Sequence, residues 1–141
     1  MNLHGTCVII NGLGILLRGP SGSGKSDLAL RLLHEGGKLI SDDQVTLESM
    51  MGQLIARPPR SIMGQMEVRG VGVIPVNYES QAPVEYIFDM TPHDKIERTP
   101  EKATENILGV EVPVAKIDPF AASSVAKVNY LLKSLKKGKA F

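Results

Sequence analysis

Short hydrophobic runs separated by glycine-containing turns divide the first part of the chain into strands. Residues 6–10 are rich in β-branched and apolar types, and residues 13–17 are apolar again. The Asn11-Gly12 pair between them is typical of a two-residue hairpin turn. The pattern therefore predicts an antiparallel hairpin whose second strand runs directly into Gly19.

Two other stretches have helical periodicity. In residues 27–35, leucine and alanine recur four positions apart, and Gly36-Gly37 follows as a helix terminator. Residues 121–135 carry an apolar stripe at spacings of three and four, which predicts a helix with one buried face. That stripe consists of Val125, Val128, Leu132 and Leu135.

The remaining elements are short. Residues 45–48 and 53–57 form a predicted second hairpin, and residues 60–65 are an ambiguous stretch that suits a helical turn. Residues 97–106 are highly charged, which predicts a solvated surface segment, and Pro113 makes residues 111–117 an edge or irregular strand. The other predicted strands are residues 38–41, 66–72 and 84–90.

Size and composition exclude several classes of protein. At 141 residues, with 43% hydrophobic and 22% charged residues, the chain is expected to form one globular domain, residues 1–141. A net charge of +1 argues against a general nucleic-acid binder, and no apolar run approaches the length of a membrane helix. Cys7, the only cysteine, lies in an apolar run and suits a buried, inert thiol. Without a signal-like N-terminus, we expect a cytoplasmic protein.

The C-terminal end is basic. No acidic residue follows Asp118, and the simplest role of the lysines beyond it is solubility, with a docking surface as the alternative. These residues are Lys127, Lys133, Lys136, Lys137 and Lys139.

The stretch after the first hairpin matches the phosphate-binding pattern G-x-x-x-x-G-K-[ST]. It reads Gly19, Pro20, Ser21, Gly22, Ser23, Gly24, Lys25 and Ser26. Glycines let successive N–H groups turn toward an anion, the lysine reaches the β- and γ-phosphates, and the last hydroxyl ligates Mg²⁺. Because a predicted strand precedes the loop and a predicted helix follows it, we interpret it as a nucleotide-binding loop.

Two further segments carry candidate chemistry. Asp42-Asp43 ends a predicted strand, where one carboxylate can face a metal while the other faces an incoming hydroxyl as general base. Both can serve only if the chain turns there, because adjacent side chains of a strand point oppositely. Glu67 and Arg69 alternate with apolar residues before two glycines, which suits either a metal or phosphate site or a surface ion pair. His4, at the strand end opposite the first hairpin turn, lies close to the phosphate loop; taken alone it is more often a surface histidine.

Together these residues resemble the catalytic domain of bacterial HPr kinase/phosphorylase. The resemblance rests on His4-Gly5, the hairpin, the phosphate loop, Asp42-Asp43 and the Glu-x-Arg-Gly-x-Gly segment at residues 67–72, in order and spacing. The match covers roughly residues 4–75 and is weaker through the last helix. Met66 stands where the family usually has leucine.

The resemblance implies a reaction and a set of roles. The family transfers phosphate from ATP, with Mg²⁺, to a seryl side chain of HPr, a carrier of the sugar phosphotransferase system, and many members reverse this by phosphorolysis. Asp42 would be the base that takes the seryl proton, and His4 would lie beside the reacting phosphoryl group. Ser26, Asp43 and Glu67 would hold Mg²⁺, while Lys25 binds phosphate and Arg69 supports its strand.

The resemblance also implies an architecture, an α/β sandwich around a mixed sheet, related to the phosphoenolpyruvate carboxykinases. The chain is similar to the short proteobacterial form without the N-terminal domain. Longer members form hexamers and carry an arginine-bearing segment before the last helix. Residues 115–119 have no arginine here, which leaves the reverse reaction and the homo-oligomer open.

Two other functions remain as alternatives. A small-molecule or nucleotide kinase would need arginines gathered in a lid, and Arg57 and Arg60 are the only close pair. A non-catalytic nucleotide sensor, which binds ATP and signals through a partner, is the third hypothesis.

Overall fold

The computed structural model describes residues 1–139, with side chains through Leu135, and consists mainly of strands. In chain order the strands are β1 (Asn2–Ile10), β2 (Leu13–Arg18), β3 (Lys38–Ser41), β4 (Gln44–Met50), β5 (Gln53–Arg57), β6 (Gln65–Val68), β7 (Gly72–Pro75), β8 (Ala82–Met90), β9 (Ala103–Ile107) and β10 (Val110–Ile117). The helices are α1 (Lys25–His34) and α2 (Ser124–Lys139), with short 3₁₀ turns at Arg60–Ile62 and His93–Lys95.

The sheet is mixed and bends back on itself. One part runs in the order β3-β1-β2-β8-β10-β9, in which β2, β8 and β10 are parallel and β1 is antiparallel to both neighbours. The other part has the order β1-β4-β5-β8, in which β4 pairs with the amino-terminal end of β1 and β5 pairs with the amino-terminal end of β8. The β6–β7 hairpin is separate and packs against α1 through β6.

Alternation along the strands creates two hydrophobic cores. Ile15 and Leu17 of β2 face the helices, whereas Leu16 between them faces the space between the two parts of the sheet. Val128 and Leu132 of α2 are buried in the first core, as the apolar stripe predicts. Cys7 is fully buried in the second core, where burial raises the pKa of its thiol to about 12.

Local turn signals predicted these elements well. Ile10 pairs with Leu13, so Asn11-Gly12 forms the expected two-residue turn, with φ of 53° and 77°. The helix α1 ends where expected, since Gly36 adopts a φ of 98° and the Gly37 N–H donates to Leu32 O at 3.1 Å. The helix begins two residues earlier than residue 27, inside the phosphate loop.

One prediction about the C-terminal half is confirmed and one is partly wrong. Residues 97–106 are all exposed, as predicted, although Ala103–Ile107 forms strand β9, in which only Ile107 is buried. The strand β10 is not at an edge but lies between β8 and β9. Pro113 is tolerated because the pairing with β8 starts only at Val114.

The last helix agrees with the periodicity except at its start, since α2 begins at Ser124 rather than residue 121. Lys127 and Lys133 are exposed, as predicted. The side chains of Lys136, Lys137 and Lys139 lie outside those described. Of the described helices, neither combines the length and apolar character that a membrane crossing requires.

Candidate active site

The candidate site lies at one edge of the sheet. The parallel strands β2, β8 and β10 end there, and β3 ends there too because both β2 and β3 are antiparallel to β1. The start of β1 lies at the same edge. This arrangement gathers residues from distant parts of the sequence around the loop that follows β2, as expected for strand ends in α/β proteins.

The phosphate loop has the geometry of an anion cradle. Gly22 and Gly24 have φ of 80° and 102°, which L-residues avoid, and the Ser23 N–H closes a turn on Pro20 O at 3.1 Å. Lys25 is 5% exposed, and its ammonium donates to Gly19 O at 2.5 Å and to Pro20 O at 3.0 Å. The loop therefore holds its positive charge inside, beside the amino-terminal end of α1.

Asp42 lies against this loop. The Ser26 hydroxyl donates to Asp42 Oδ1 at 2.8 Å, and the Thr6 hydroxyl donates to the same oxygen at 3.4 Å. The Asp42 residue is 9% exposed, so its carboxylate is nearly enclosed between β1, β3 and α1. The structure thus joins Asp42 to the hydroxyl that the motif assigns to Mg²⁺.

Asp43 faces the other way because the backbone turns at this residue. Its φ is 68°, and the Gln44 N–H donates to Asp42 O at 2.8 Å across the turn. The Asp43 side chain is 57% exposed, and its Oδ1 lies 4.0 Å from Nδ1 of the exposed His4. The backbone of Asp43 is tied to β1 by its N–H to Thr6 Oγ1 and by Gly5 N–H to its carbonyl.

The structure does not join Glu67 to these acids. Glu67 is exposed on β6 and Arg69 is exposed in the turn after it, and neither side chain makes a hydrogen bond or ion pair with the described side chains, which run through Leu135. Met66 is 1% exposed and packs in the core between α1 and the sheet, so it anchors this hairpin. No group of three or more His, Cys, Asp or Glu within the described part of the chain is arranged to hold a metal unaided.

Sequence reasoning missed several residues of the site. Thr6 supports both aspartates, and the only signal for it is a polar residue in an otherwise buried strand. Pro119 and Phe120, after β10, cover the loop at Gly24, where a built β-carbon would lie 2.5 Å from Pro119 Cγ and 2.9 Å from Phe120 Cζ. No local pattern marks that contact.

An ion-pair network braces the strand that enters the loop. Arg18, the last residue of β2, binds Asp89 of β8 through two hydrogen bonds of 2.7 and 3.0 Å. It also binds Glu105 of β9 at 2.8 and 2.9 Å. The hydrogen bonds from Arg18 lower the pKa of Glu105. The hydrogen bonds to Glu105, and to a smaller extent those to Asp89, raise the pKa of Arg18. The network fixes the point at which the chain leaves the sheet for the phosphate loop.

This network predicts a pH-dependent contribution to stability. The folded-state pKa of Glu105 lies below the ordinary glutamate value near 4.3. The bond between Glu105 and Arg18 therefore adds to the free energy of unfolding at neutral pH, and this contribution is lost as the pH falls through the lowered pKa. We expect Glu105→Gln to reduce the free energy of unfolding by about 0.5–1 kcal/mol at pH 7, since the pair is partly exposed. Urea titrations at pH 7 and pH 3 measure the difference, which should shrink at pH 3.

The matched control is Glu101→Gln. Glu101 is exposed and, in the described part of the chain, makes no hydrogen bond or ion pair. Equal losses for the two variants, or a loss for Glu105→Gln that grows in acid, would contradict the assignment.

The fold and the loop together define a P-loop domain built on a mixed sheet, with a carboxylate hydrogen-bonded to the last residue of the loop motif. The chain belongs to the HPr serine kinase C-terminal domain family, because the model of that family matches residues 1–129. The family and the mixed-sheet α/β fold predicted from the resemblance are thereby confirmed.

Curated relatives match about half of this chain. The HPr kinase/phosphorylase of Clostridium beijerinckii is 49% identical over 74 residues, which are 52% of this chain and 24% of that protein. The HPr kinase/phosphorylase of Clostridium tetani is 46% identical over 74 residues, again 24% of its length. The matched segment thus spans about a quarter of these relatives.

A solved structure covers the whole fold. The Hpr(Ser) kinase/phosphatase from Coxiella burnetii superimposes with a TM-score of 0.88 at 24% identity, covering 100% of this chain and 99% of that chain. At this level of identity the likeness establishes the fold.

Proposed function

We propose that this chain is a protein-serine kinase domain that transfers the γ-phosphate of ATP, with Mg²⁺, to a seryl side chain of HPr or a paralogue in the cytoplasm. The observation that carries the proposal is the division of the two aspartates at the phosphate loop. Asp42 is held against Ser26, whereas Asp43 faces outward beside His4. A phosphoryl-transfer site needs one group at the metal and one at the acceptor, and these acids are arranged for both tasks.

The donor set fits Mg²⁺ and a triphosphate. Mg²⁺ prefers hard oxygen ligands and commonly takes one or two from the protein, with phosphate oxygens and water completing its shell. Ser26 and Asp42 supply such oxygens 2.8 Å apart, and Glu67 is the further candidate ligand, reaching the site only if its hairpin moves. Ser23 Oγ is buried without a partner in the described residues, which suits a loop that binds an anion. When bound, Mg²⁺ neutralises charge on the transferring phosphate.

The geometry favours exchanging the two aspartate roles that the resemblance implies. The resemblance makes Asp42 the base and Asp43 a metal ligand. We instead assign Asp43 as the base, because its carboxylate is exposed to an incoming protein, and Asp42 as the metal-side acid, because it is enclosed against Ser26.

In this mechanism each residue of the chain has one task. The loop N–H groups and the Lys25 ammonium bind the phosphates and neutralise them. Asp43 accepts the proton of the seryl hydroxyl. The seryl oxygen forms a bond to the γ-phosphorus while the bond from that phosphorus to ADP breaks, and ADP leaves. His4, whose Nδ1 lies 4.0 Å from Asp43 Oδ1, is near enough to interact with that carboxylate when a substrate is bound, and the resemblance gives it a place beside the reacting phosphoryl group. Arg69 is exposed and makes no described side-chain contact, so the supporting role that the resemblance implies for it has no part in this mechanism.

The test is direct transfer. The protein is incubated with ATP, Mg²⁺ and each HPr paralogue of its host, and phosphoserine is detected by mass spectrometry. We expect transfer to one paralogue and a loss of at least about 10²-fold in Lys25→Met, because the lysine binds the reacting phosphates. Lys38→Met is the control, since Lys38 is an exposed lysine paired with Glu79 away from the loop.

The outcomes separate the three hypotheses. Phosphorylation of a nucleotide or metabolite without any HPr would favour a small-molecule kinase. ATP binding without transfer to any acceptor would favour a nucleotide sensor. Either result would overturn the proposal.

A further inference from the structure

One exposed aromatic side chain at the active-site edge has no part in the mechanism above. Phe120 is 68% exposed, in the loop between β10 and α2, and its ring reaches the backbone of Gly24 in the phosphate loop. A single exposed phenylalanine on a surface needs no explanation. This one is held in direct contact with the loop that binds phosphates.

The segment that carries Phe120 is firmly anchored. The Phe120 N–H donates to Asp118 Oδ1 at 2.9 Å, and Pro119 is buried. Arg31 of α1 donates to Pro119 O and, at 2.7 Å, to the buried hydroxyl of Ser124. The ring is therefore presented by a preorganised loop, and little conformational entropy is lost when a ligand packs on it.

The order of the strands indicates which ligand the ring faces. The two aspartates follow β3, on one side of β2, whereas Phe120 follows β10, two strands away on the other side. At a strand spacing of about 4.8 Å, β10 lies roughly 10 Å from β2. If the γ-phosphate points toward the aspartates, the nucleoside must leave the cradle on the opposite side, where the ring lies.

We infer that Phe120 is the stacking platform for the base of the nucleotide, with Pro119 as its support against Gly24. This inference rests on the proposed function, because it requires a nucleotide in the phosphate loop. Every base has a π-face, so the ring stabilises adenine and guanine alike and does not by itself select between them.

The experiment compares a ligand with a base to one without. Dissociation constants for ATP, GTP and inorganic tripolyphosphate are measured by calorimetry with Mg²⁺ for the wild-type protein, Phe120→Ala and Phe120→Tyr. We expect Phe120→Ala to weaken ATP and GTP binding by about 5- to 100-fold, the range for loss of one base–aromatic stack. Tripolyphosphate binding should not change, and Phe120→Tyr should retain nucleotide affinity.

Tyr130→Ala is the matched control, because Tyr130 is an aromatic residue of α2 that is 73% exposed. Equal weakening of ATP and tripolyphosphate in Phe120→Ala would mean that the ring only supports the loop, which overturns the inference. Unchanged ATP binding with a raised KM for the acceptor protein would assign the ring to the acceptor and overturn it as well.

The failure of this inference is distinguishable from failure of the proposed function. If the wild-type protein transfers phosphate to HPr and Phe120→Ala binds ATP normally, only the platform is wrong. If the wild-type protein binds no ATP, both fail together.

Discussion

Replacing Asp43 with asparagine is expected to slow phosphoryl transfer by about 10²- to 10⁴-fold, the usual contribution of a general base. Nucleotide binding should be unaffected, because the Asp43 carboxylate faces away from the loop and toward His4. Asparagine is the appropriate replacement, since it is isosteric and tolerates the φ of 68° found here. The measurement is kcat for phosphoserine formation, with ATP affinity determined in parallel.

The paired variant Asp42→Asn should behave differently. Asp42 accepts the Ser26 hydroxyl at 2.8 Å, so removing its charge should weaken binding of ATP in the presence of Mg²⁺ more than in its absence. If Asp42→Asn instead leaves Mg²⁺-dependent ATP binding intact and abolishes transfer, while Asp43→Asn remains active, the roles are those implied by the family resemblance. The two variants together therefore decide which carboxylate takes the proton.

Truncating Phe88 to alanine is expected to reduce the free energy of unfolding by about 3–5 kcal/mol. Phe88 is fully buried on β8, where it pairs with Leu17 of β2 on one side and Ala115 of β10 on the other. Its ring stacks on Tyr86 with centroids 4.7 Å apart. The change leaves a cavity between the sheet and both helices, and the melting temperature should fall by roughly 10 °C or more.

Phe120→Ala is the matched control for this prediction, because it is the same chemical change at an exposed position. We expect it to cost less than about 1 kcal/mol in the same urea titration. A loss below about 1 kcal/mol for Phe88→Ala would show that the core does not depend on this ring as its position between β2 and β10 implies.

The elements predicted best were those in which neighbouring residues determine the conformation. The Asn11-Gly12 turn, the end of α1 at Gly36 and the phosphate loop depend on glycines, which adopt the positive φ found there without strain. The buried face of α2 was also predicted correctly from its apolar stripe, because an amphipathic helix buries its apolar face whichever sheet it packs against.

What the sequence did not predict depended on pairing between distant strands. Pro113 predicted an edge or irregular strand, yet β10 lies between β8 and β9, and its pairing with β8 begins just after the proline. Residues 97–106 are exposed as predicted, but their charge did not indicate β9, which forms by pairing with β10 and places Glu105 on Arg18. Neither contact leaves a signal in a window of the sequence.

By itself, the sequence determined the chemistry available at the site: a phosphate cradle, a basic side chain within it, a hydroxyl after it and two adjacent acids downstream. Only the tertiary structure decided which of these groups faces the phosphate loop and which faces solvent. The left-handed turn at Asp43 directs one acid to Ser26 and the other to solvent, and the shared orientation of β2 and β10 brings Phe120 onto Gly24. The physical reason is that side-chain direction at a strand end is set by hydrogen bonds to neighbouring strands, which are remote in the chain and meet only when the sheet forms.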